Sequence, residues 1–595
     1  MPYYSKPNPL VCSPVQKQAI NFKNGIVHFN KSLLEDSECY ITPFWHNEGV
    51  SDFDIVYGNR TLVNFKKSGY SLNVKDEFFE VRCTANGVFT TQDVFAKNYA
   101  QVISVKKTLP LPNHPSKLIK ESTIDRPSVI MIGLDSMSRQ NFLRQLPETH
   151  KRMQKIGFLN MLGHIKIHDN TYGNLVAVLM GKRGAWASEF PTEIEDAWDV
   201  NFDDYNFVWE NFTKNGYATF FAEDRPDIAT FNYMRQLCGF TRRPVNHYLR
   251  PFWLATFWSI LSRRSRSYCY DEKPFHRVHL DHLEDFIQKY QGKRQFAFWW
   301  TQDMSHDYLN LIGRMDNDLD GFLERNEKNF EKSFVIVFSD HGNRYDRIRE
   351  TVNGRLESRL PFFSIRLPQG IKEKHPLLEK QLVENSKRMT TPFDIHETLN
   401  DIAWGTFTKP KKPLNNKKMP RGYSLFGPTP KNRTCSEAGV PEDYCPCFKE
   451  KEIPIEEAKK AAQVLLARIN DILTNAPDVE KSEHKNVQDF VCSPLELDKI
   501  TYASIRLPSE KVLVDPKVDN EMVRAGIQVQ YRIVLQAKQP SGAILEGIVV
   551  RDFTANRWYT TNEFERNNAY GETSSCVMDS VLKKLCFCIK GEKKQ

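Results

Sequence analysis

Between about residues 127 and 405, uninterrupted apolar runs alternate with segments whose apolar residues recur at helical spacing. The clearest runs are Val129–Leu134 and Phe334–Phe338, and similar ones occur at 218–222, 296–300 and 362–366. Strands that are apolar at every position are typical of mostly parallel sheets, because helices cover both faces of such sheets. The pattern therefore predicts an α/β core with a mostly parallel sheet flanked by helices.

The segments on either side of this core have a different pattern. Short runs of Val, Phe, Tyr and Thr between about residues 39 and 105 predict a β-rich N-terminal region, and alternating residues after about 490 predict a β-rich C-terminal domain. A helix is predicted from Ile455 to Thr474. The predicted divisions are 1–120, β-rich region and linker; 121–405, core; 406–485, Cys-bearing basic connector and helix; and 486–595, C-terminal β-rich domain.

Composition narrows the class of protein. Hydrophobic residues make up 40% and charged residues 26% of the 595 positions, which is ordinary for a globular protein with more than one domain. The net charge of +8, from 82 basic and 74 acidic residues, is too small an excess to indicate a nucleic-acid partner. No apolar stretch reaches the roughly 18 residues of a membrane span. The sequence therefore predicts no transmembrane segment in this chain and leaves its oligomeric state open.

The cysteines and the first residues point to different compartments. Met1–Lys6 lacks the apolar core of a secretory signal, which taken alone favours the cytoplasm. Twelve cysteines instead favour disulfides and a secreted or extracellular protein. A zinc knuckle is the alternative, but Cys445/Cys447 and Cys586/Cys588 are separated by a single residue, closer than structural zinc sites usually allow. The chain contains four Asn-X-Ser/Thr sequons, the acceptor motif of glycoproteins. A sequence this rich in Asn would contain about that many by chance.

Two predicted strands are each followed by side chains that bind metals. Asp135 follows the run ending at Leu134, and Asp340 and His341 follow the run ending at Phe338 after one serine. Because the carboxyl ends of parallel strands meet at one edge of a sheet, these groups are expected to lie together. Carboxylate and imidazole ligands suit a divalent metal, zinc first, with manganese or calcium as alternatives. The competing interpretation of Asp135 is a helix N-cap.

A polar loop between these strands leads into an apolar helix that begins at Thr171. A hydroxyl at a helix N-terminus is favoured as an alkoxide, and the same position favours a bound phosphate. Coordination to a metal would activate the hydroxyl further as a nucleophile. Taken alone, the segment favours the alternative that Thr171 serves only as a helix cap.

The order of a strand-end Asp, Thr-Tyr-Gly-Asn opening a helix, and Ser-Asp-His-Gly resembles the alkaline phosphatase superfamily. More narrowly, the chain is similar over roughly residues 50–500 to the uncharacterised animal family numbered 229 among domains of unknown function; the similar segments are Gly133–Phe142, Gly354–Pro361, Thr391–Leu399, Ser424–Phe426 and Asn432–Cys435. The resemblance implies an alkaline-phosphatase-like core and a largely secreted or membrane-anchored class of protein.

The resemblance also implies roles for individual residues. Thr171 matches the nucleophile, Asn174 matches the residue that steadies the transferring group, and Asp135, Asp340 and His341 match ligands of one metal. Asp303 and His306 fall where relatives hold a second metal, but their spacing of three departs from the usual four, which favours His306 over Asp303. The alternative for His306 is a histidine paired with Asp307. For His396, packing against the sheet is the favoured interpretation.

These observations predict a metal-dependent hydrolase or transferase of phosphate esters or diesters. Its substrate would be a phosphorylated small molecule or a glycan-type or lipid-type compound. A sulfatase-like hydrolase is less favoured, because Cys12-Ser13-Pro14 and Cys492-Ser493-Pro494 lack the arginine of the Cys-X-Pro-X-Arg setting and lie outside the core. Because the second metal set is imperfect, a catalytically inactive extracellular binding protein is the alternative from another class.

Overall fold

A seven-stranded sheet forms the centre of the computed structural model, which describes residues 3–34, 36–65, 70–86, 91–184, 190–194, 200–233, 237–409, 420–475, 490–507, 528–552, 555–577 and 580–590. Five neighbouring strands run parallel, and the two strands at one edge are joined to the sheet and to each other by antiparallel pairings. The order across the sheet is Leu159–Asn160, Phe363–Arg366, Ser333–Phe338, Ser128–Leu134, Gln295–Thr301, Ala218–Glu223 and His247–Tyr248. The mixed α/β core is therefore mostly parallel.

The apolar runs form strands because both faces of the sheet are covered. Every residue of Ser128–Leu134 and of Ser333–Phe338 is buried. Side chains alternate between the faces, so Val129 and Met131 belong to one core and Ile130 and Ile132 to the other. This double burial accounts for the absence of polar alternation along the strands.

Helices pack on each face of the sheet. One layer contains Thr171–Met180, Val208–Lys214, Gln369–Lys374, Pro376–Asn385 and Pro392–Trp404. The opposite layer contains Arg139–Gln145, Pro147–Lys155, Arg250–Phe257, Phe275–Lys289, Asp316–Arg325 and Glu327–Phe330. Two further helices, Ile260–Arg264 and Val352–Arg359, lie outside these two layers. None of the helices in the described ranges is long and apolar enough to cross a membrane.

The N-terminal region is β-rich. One sheet contains Ser37–Asn47, Ser51–Tyr57, Thr61–Leu62, Phe78–Asn86 and Thr91–Ala100, and a smaller sheet contains Ile20–Lys23, Ile26–Phe29 and Ser71–Asn73. A disulfide between Cys39 and Cys83 joins two paired strands. A second disulfide joins Cys12 to Cys269 of the core.

The C-terminal lobe, defined as the described residues from 449 to 590, contains an antiparallel sheet with one long helix packed on it. The strands are Lys449–Glu452, Leu497–Leu507, Gln528–Ala537, Ile544–Asp552 and Arg557–Arg566. Helix Ile455–Thr474 buries Ala461, Leu465 and Ile469 against this sheet. A short helix, Ser580–Leu585, follows, and Phe490–Cys492 pairs with Cys588–Lys590 in a separate two-stranded sheet.

Ten of the twelve cysteines form five disulfides, which confirms the disulfide interpretation of the sequence. The two cysteine groups considered as zinc knuckles supply the pairs Cys435–Cys445, Cys492–Cys586 and Cys576–Cys588. Cys447, which is outside these five bonds, is exposed.

A buried ion network joins the C-terminal lobe to the core. Glu546 of the lobe lies 2.7 Å from Arg359 and 3.3 Å from Arg355, both on helix Val352–Arg359. Glu565 lies 2.6 Å from Arg349 and 2.9 Å from Arg359. The charge of Glu546 is shared further with Arg532 of its own lobe, 2.6 Å away. Opposite charges therefore compensate one another where water is excluded.

We predict that Glu546→Gln destabilises the protein by about 3–5 kcal/mol, because three buried guanidinium groups lose their shared negative partner. Guanidinium chloride unfolding followed by tryptophan fluorescence measures the change. Glu496→Gln is the matched control, since this carboxylate is 74% exposed and pairs with an exposed lysine, Lys538. Equal unfolding midpoints for the two variants would contradict the prediction.

Candidate active site

Three buried side chains converge where two neighbouring strands end. Asp135 follows Ser128–Leu134, and Asp340 and His341 follow Ser333–Phe338. The strands are parallel, and Phe338 lies opposite Gly133, so their carboxyl ends are adjacent. One potential ligand atom from each of the three side chains lies within 4.8 Å of the others. This metal-ligand cluster, as we call Asp135, Asp340 and His341, is almost completely shielded from solvent.

Neighbouring groups orient the cluster. Ser136 donates from its hydroxyl to Asp135 at 2.7 Å and from its backbone N–H to Asp340 at 3.2 Å. To do so it adopts a φ of 59°, an uncommon backbone conformation for a residue with a side chain. The Nδ1 atom of His341 lies 2.8 Å from the carbonyl oxygen of Gly342, so a proton on Nδ1 leaves Nε2 as the ligand nitrogen.

The electrostatics of the cluster fit a divalent cation. Burial, followed by the neighbouring charge of Asp135, raises the pKa of the Asp340 carboxyl to about 8. Burial, together with the positive charges of Arg344 and Lys166, holds the pKa of His341 well below its ordinary value, so the imidazole is neutral. The Oδ2 atom of Asp340 is buried and accepts no hydrogen bond. Two carboxylates and a neutral imidazole are a donor set that suits zinc or manganese.

Thr171 lies beside this cluster at the start of helix Thr171–Met180. Its hydroxyl oxygen is 3.4 Å from Oδ2 of Asp135 and 3.5 Å from Nε2 of His341. The cap of the helix is the preceding residue, Asn170, whose side chain accepts from the Gly173 N–H. Because Asn170 fulfils the capping role, the hydroxyl of Thr171 is left to face the cluster.

Asn174, which the family resemblance matches to the residue that steadies the transferring group, makes its hydrogen bonds within its own loop. Its side-chain oxygen accepts from the N–H groups of Ile167 and His168 at 2.9 and 3.1 Å. Its NH₂ donates to the carbonyls of His168 and Asn170, both at 2.9 Å. The amide has thus used both donors and both acceptor sites within its own loop. In this structure Asn174 fixes the loop that precedes Thr171.

Among the residues that the structure describes, Asp303 is not part of the metal-ligand cluster. It is buried beside Asp224, and burial, followed by the charge of Asp224, raises the pKa of the Asp303 carboxyl to about 7. No protein donor reaches its Oδ2 atom.

His306 and His396 both have partners outside the cluster. His306 lines the pocket beside Thr171, but its Nδ1 lies 2.8 Å from Asp307 and its ring packs on Tyr345. The pairing with Asp307 is the alternative that the sequence had left open for His306. His396 packs on the helix of Thr171, where its Nδ1 lies 3.0 Å from the carbonyl of Val178.

Sequence reasoning missed a group of cations around Asp169. The carboxylate of Asp169 lies 3.0 Å from Lys166, 3.5 Å from Arg344 and 3.8 Å from Lys584. Burial alone would raise the pKa of Asp169, but the three cations hold it well below the ordinary value. Arg344 follows the Asp-His-Gly motif closely and could have been singled out, whereas Lys584 lies near the other end of the chain and carries no motif.

Comparisons with known proteins give one family and a set of distant folds. The model of a family described as a protein of unknown function, DUF229, matches residues 10–501. Among solved structures, a phosphonate monoester hydrolase from Silicibacter pomeroyi has a TM-score of 0.36 at 10% identity, covering 72% of this chain and 89% of that chain. The lipoteichoic acid synthase LtaP from Listeria monocytogenes scores 0.33 at 10% identity, covering 68% and 92%.

A protein in the alkaline phosphatase superfamily from Vibrio parahaemolyticus scores 0.33 at 11% identity, covering 74% of this chain and 84% of that chain. No curated protein matches the sequence. Similarity at these scores gives no information about the reaction or the substrate of this chain.

We predict that the purified protein binds zinc or manganese and that Asp135→Asn and Asp340→Asn each weaken this binding at least about tenfold, since even residues that only support metal ligands contribute that much. Metal content after dialysis, measured by inductively coupled plasma mass spectrometry, tests this. Asp204→Asn, at a carboxylate that is 90% exposed, is the matched control and should retain the metal. Equal metal content in all three variants would refute the assignment of the ligands.

Proposed function

We infer that this chain, which belongs to the DUF229 family of proteins of unknown function, is a metal-dependent hydrolase or transferase of phosphate esters. The observation that carries the proposal is the position of the Thr171 hydroxyl. It lies 3.4 and 3.5 Å from two potential metal ligands at the start of a helix. A hydroxyl so placed is suited to nucleophilic attack.

Asp135, Asp340 and His341 would hold one divalent cation. When bound, such a cation supplies Lewis-acid chemistry: it lowers the pKa of a hydroxyl and stabilises negative charge on phosphoryl oxygens. The chain's own contribution is to hold these ligands rigidly at the ends of two buried strands.

In the proposed reaction the oxygen of Thr171 forms a bond to phosphorus and gives up its proton to Asp135, which is within hydrogen-bond reach at 3.4 Å. The bond from phosphorus to the leaving alcohol breaks, and the alcohol takes up a proton from solvent. Water or a second alcohol then forms a bond to phosphorus and releases its proton to solvent, while the bond from phosphorus to the Thr171 oxygen breaks and that oxygen takes back its proton from Asp135. The result is hydrolysis with water or transfer with an alcohol.

Positive charge near Thr171 supports a phosphorylated substrate. Three cations share the carboxylate of Asp169, which leaves an excess of positive charge in buried surroundings. Arg344 also lines the pocket, and its Nε atom is buried without a hydrogen-bond partner. The positive end of the helix that begins at Thr171 acts in the same direction. Such fixed charges stabilise an anionic transition state without reorganisation.

The proposed location is the secretory pathway or the extracellular space. Five disulfides hold the chain together, and two of them, Cys12–Cys269 and Cys492–Cys586, join distant parts of the sequence. Such bonds persist in oxidising compartments and are rare in the cytosol.

We predict that Thr171→Ala lowers kcat for aryl phosphates or bis-aryl phosphodiesters by at least about a thousandfold, since removing a nucleophile can cost about a millionfold. Thr171→Ser should keep measurable turnover because it retains a hydroxyl. Acid quenching during turnover, followed by peptide mass spectrometry, should find phosphate on residue 171 of the wild type. Thr474→Ala, on an exposed helix end, is the matched control.

Two results would overturn the proposal. One is wild-type turnover by Thr171→Ala. The other is a folded, metal-loaded protein that turns over neither class of ester, which would favour a catalytically inactive binding protein.

A further inference from the structure

The C-terminal lobe forms one wall of the pocket in front of Thr171. Glu563, Tyr570, Lys583 and Lys584 line this pocket together with residues of the core. All four lie beyond residue 501, where the family match ends. The part of the chain that carries the metal-ligand cluster and the part that closes the pocket are therefore distinct.

Lys584 is fixed in this wall. Its side chain donates to the carbonyl of Phe564 at 3.2 Å and lies 3.8 Å from Asp169. Its own carbonyl accepts from Arg566 at 3.1 Å. The helix that carries it, Ser580–Leu585, lies between disulfide-bonded cysteines, which limits its movement.

The pocket carries a net positive charge. Arg344, Lys583 and Lys584 line the pocket, against the carboxylates of Asp169 and Glu563. Lys166 adds a further buried cation to the Asp169 carboxylate, at 3.0 Å. Three positive charges therefore surround Asp169, whose carboxylate carries only one negative charge.

Tyrosine rings line the same pocket as Thr171 and the lysines. Tyr172, Tyr233, Tyr345 and Tyr570 contribute to the pocket, and the rings of Tyr345 and Tyr570 lie edge to face with centroids 6.1 Å apart. Aromatic faces suit a sugar or an aryl group, and their hydroxyls add polar contacts.

We propose that the substrate carries a second anionic group, separate from the reacting phosphoryl group, which Lys583 and Lys584 bind. This inference rests on the proposed function, because Thr171 defines where the first phosphoryl group lies. The substrate class narrows to phosphate esters in which a sugar-like or aryl body links the ester to a carboxylate, sulfate or second phosphate. The C-terminal lobe then determines specificity, and the core performs the reaction.

The test compares two ligands that differ by one remote charge. Phenylphosphonate and its 3- and 4-carboxy derivatives are titrated calorimetrically into the zinc-loaded Thr171→Ala protein, which cannot turn them over. The better carboxy derivative should bind about tenfold more tightly than phenylphosphonate, the scale of one charge-assisted hydrogen bond. Lys583→Met and Lys584→Met should each reduce this ratio to within about twofold of one.

Controls separate lost charge from lost structure. Lys584→Arg keeps the charge and should keep most of the preference, and Lys590→Met, at an exposed lysine of the same lobe, should keep all of it. Near-ultraviolet circular dichroism checks that each variant is folded. A preference of the carboxy derivatives that survives in both methionine variants, equal binding of all three ligands, or no binding of any overturns the inference.

The two proposals fail separately. If the wild type cleaves aryl phosphates but shows no preference for the carboxylated phosphonates, only the second anionic site is wrong. If the preference and its dependence on the lysines are found but no ester is cleaved, the site stands and the enzymatic proposal falls.

Discussion

Two carboxyl groups that repel each other stand at the end of adjacent parallel strands, and this juxtaposition organises the centre of the molecule. Asp135 and Asp340 cannot separate, because the pairing of Phe338 with Gly133 and the packing on both faces fix the strands. In low-dielectric surroundings the repulsion is relieved by a proton or a cation. The raised pKa of Asp340 reflects relief of the repulsion by a bound proton. The neutral imidazole of His341 beside it can instead help to bind a cation.

Much of this arrangement was predictable because its determinants are local. Continuous apolar runs define the strands, so the positions of Asp135 and Asp340 at one sheet edge followed from the pattern alone. The helix at Thr171 was also evident from its apolar sequence. What the sequence could not specify was which residue caps that helix. Asn170 does so, and this difference of one position decides whether the threonine hydroxyl is occupied or faces the carboxylates.

The remaining features depend on tertiary packing, which no spacing in the chain reveals. Asn174 matches a motif, yet the loop before Thr171 takes up its whole amide group. Lys584 has no motif at all and reaches Asp169 only because the C-terminal lobe docks on the core through Glu546 and Glu565. The contribution of a side chain from a separate lobe, such as Lys584, can be recognised only from the three-dimensional structure.

The bond between Cys12 and Cys269 closes a covalent ring that contains the N-terminal sheets and the first strands of the core. Cleavage of any one peptide bond inside this ring opens it without releasing a fragment. A protease that cuts one exposed loop there would leave the two pieces covalently joined until a reductant cleaved the disulfide.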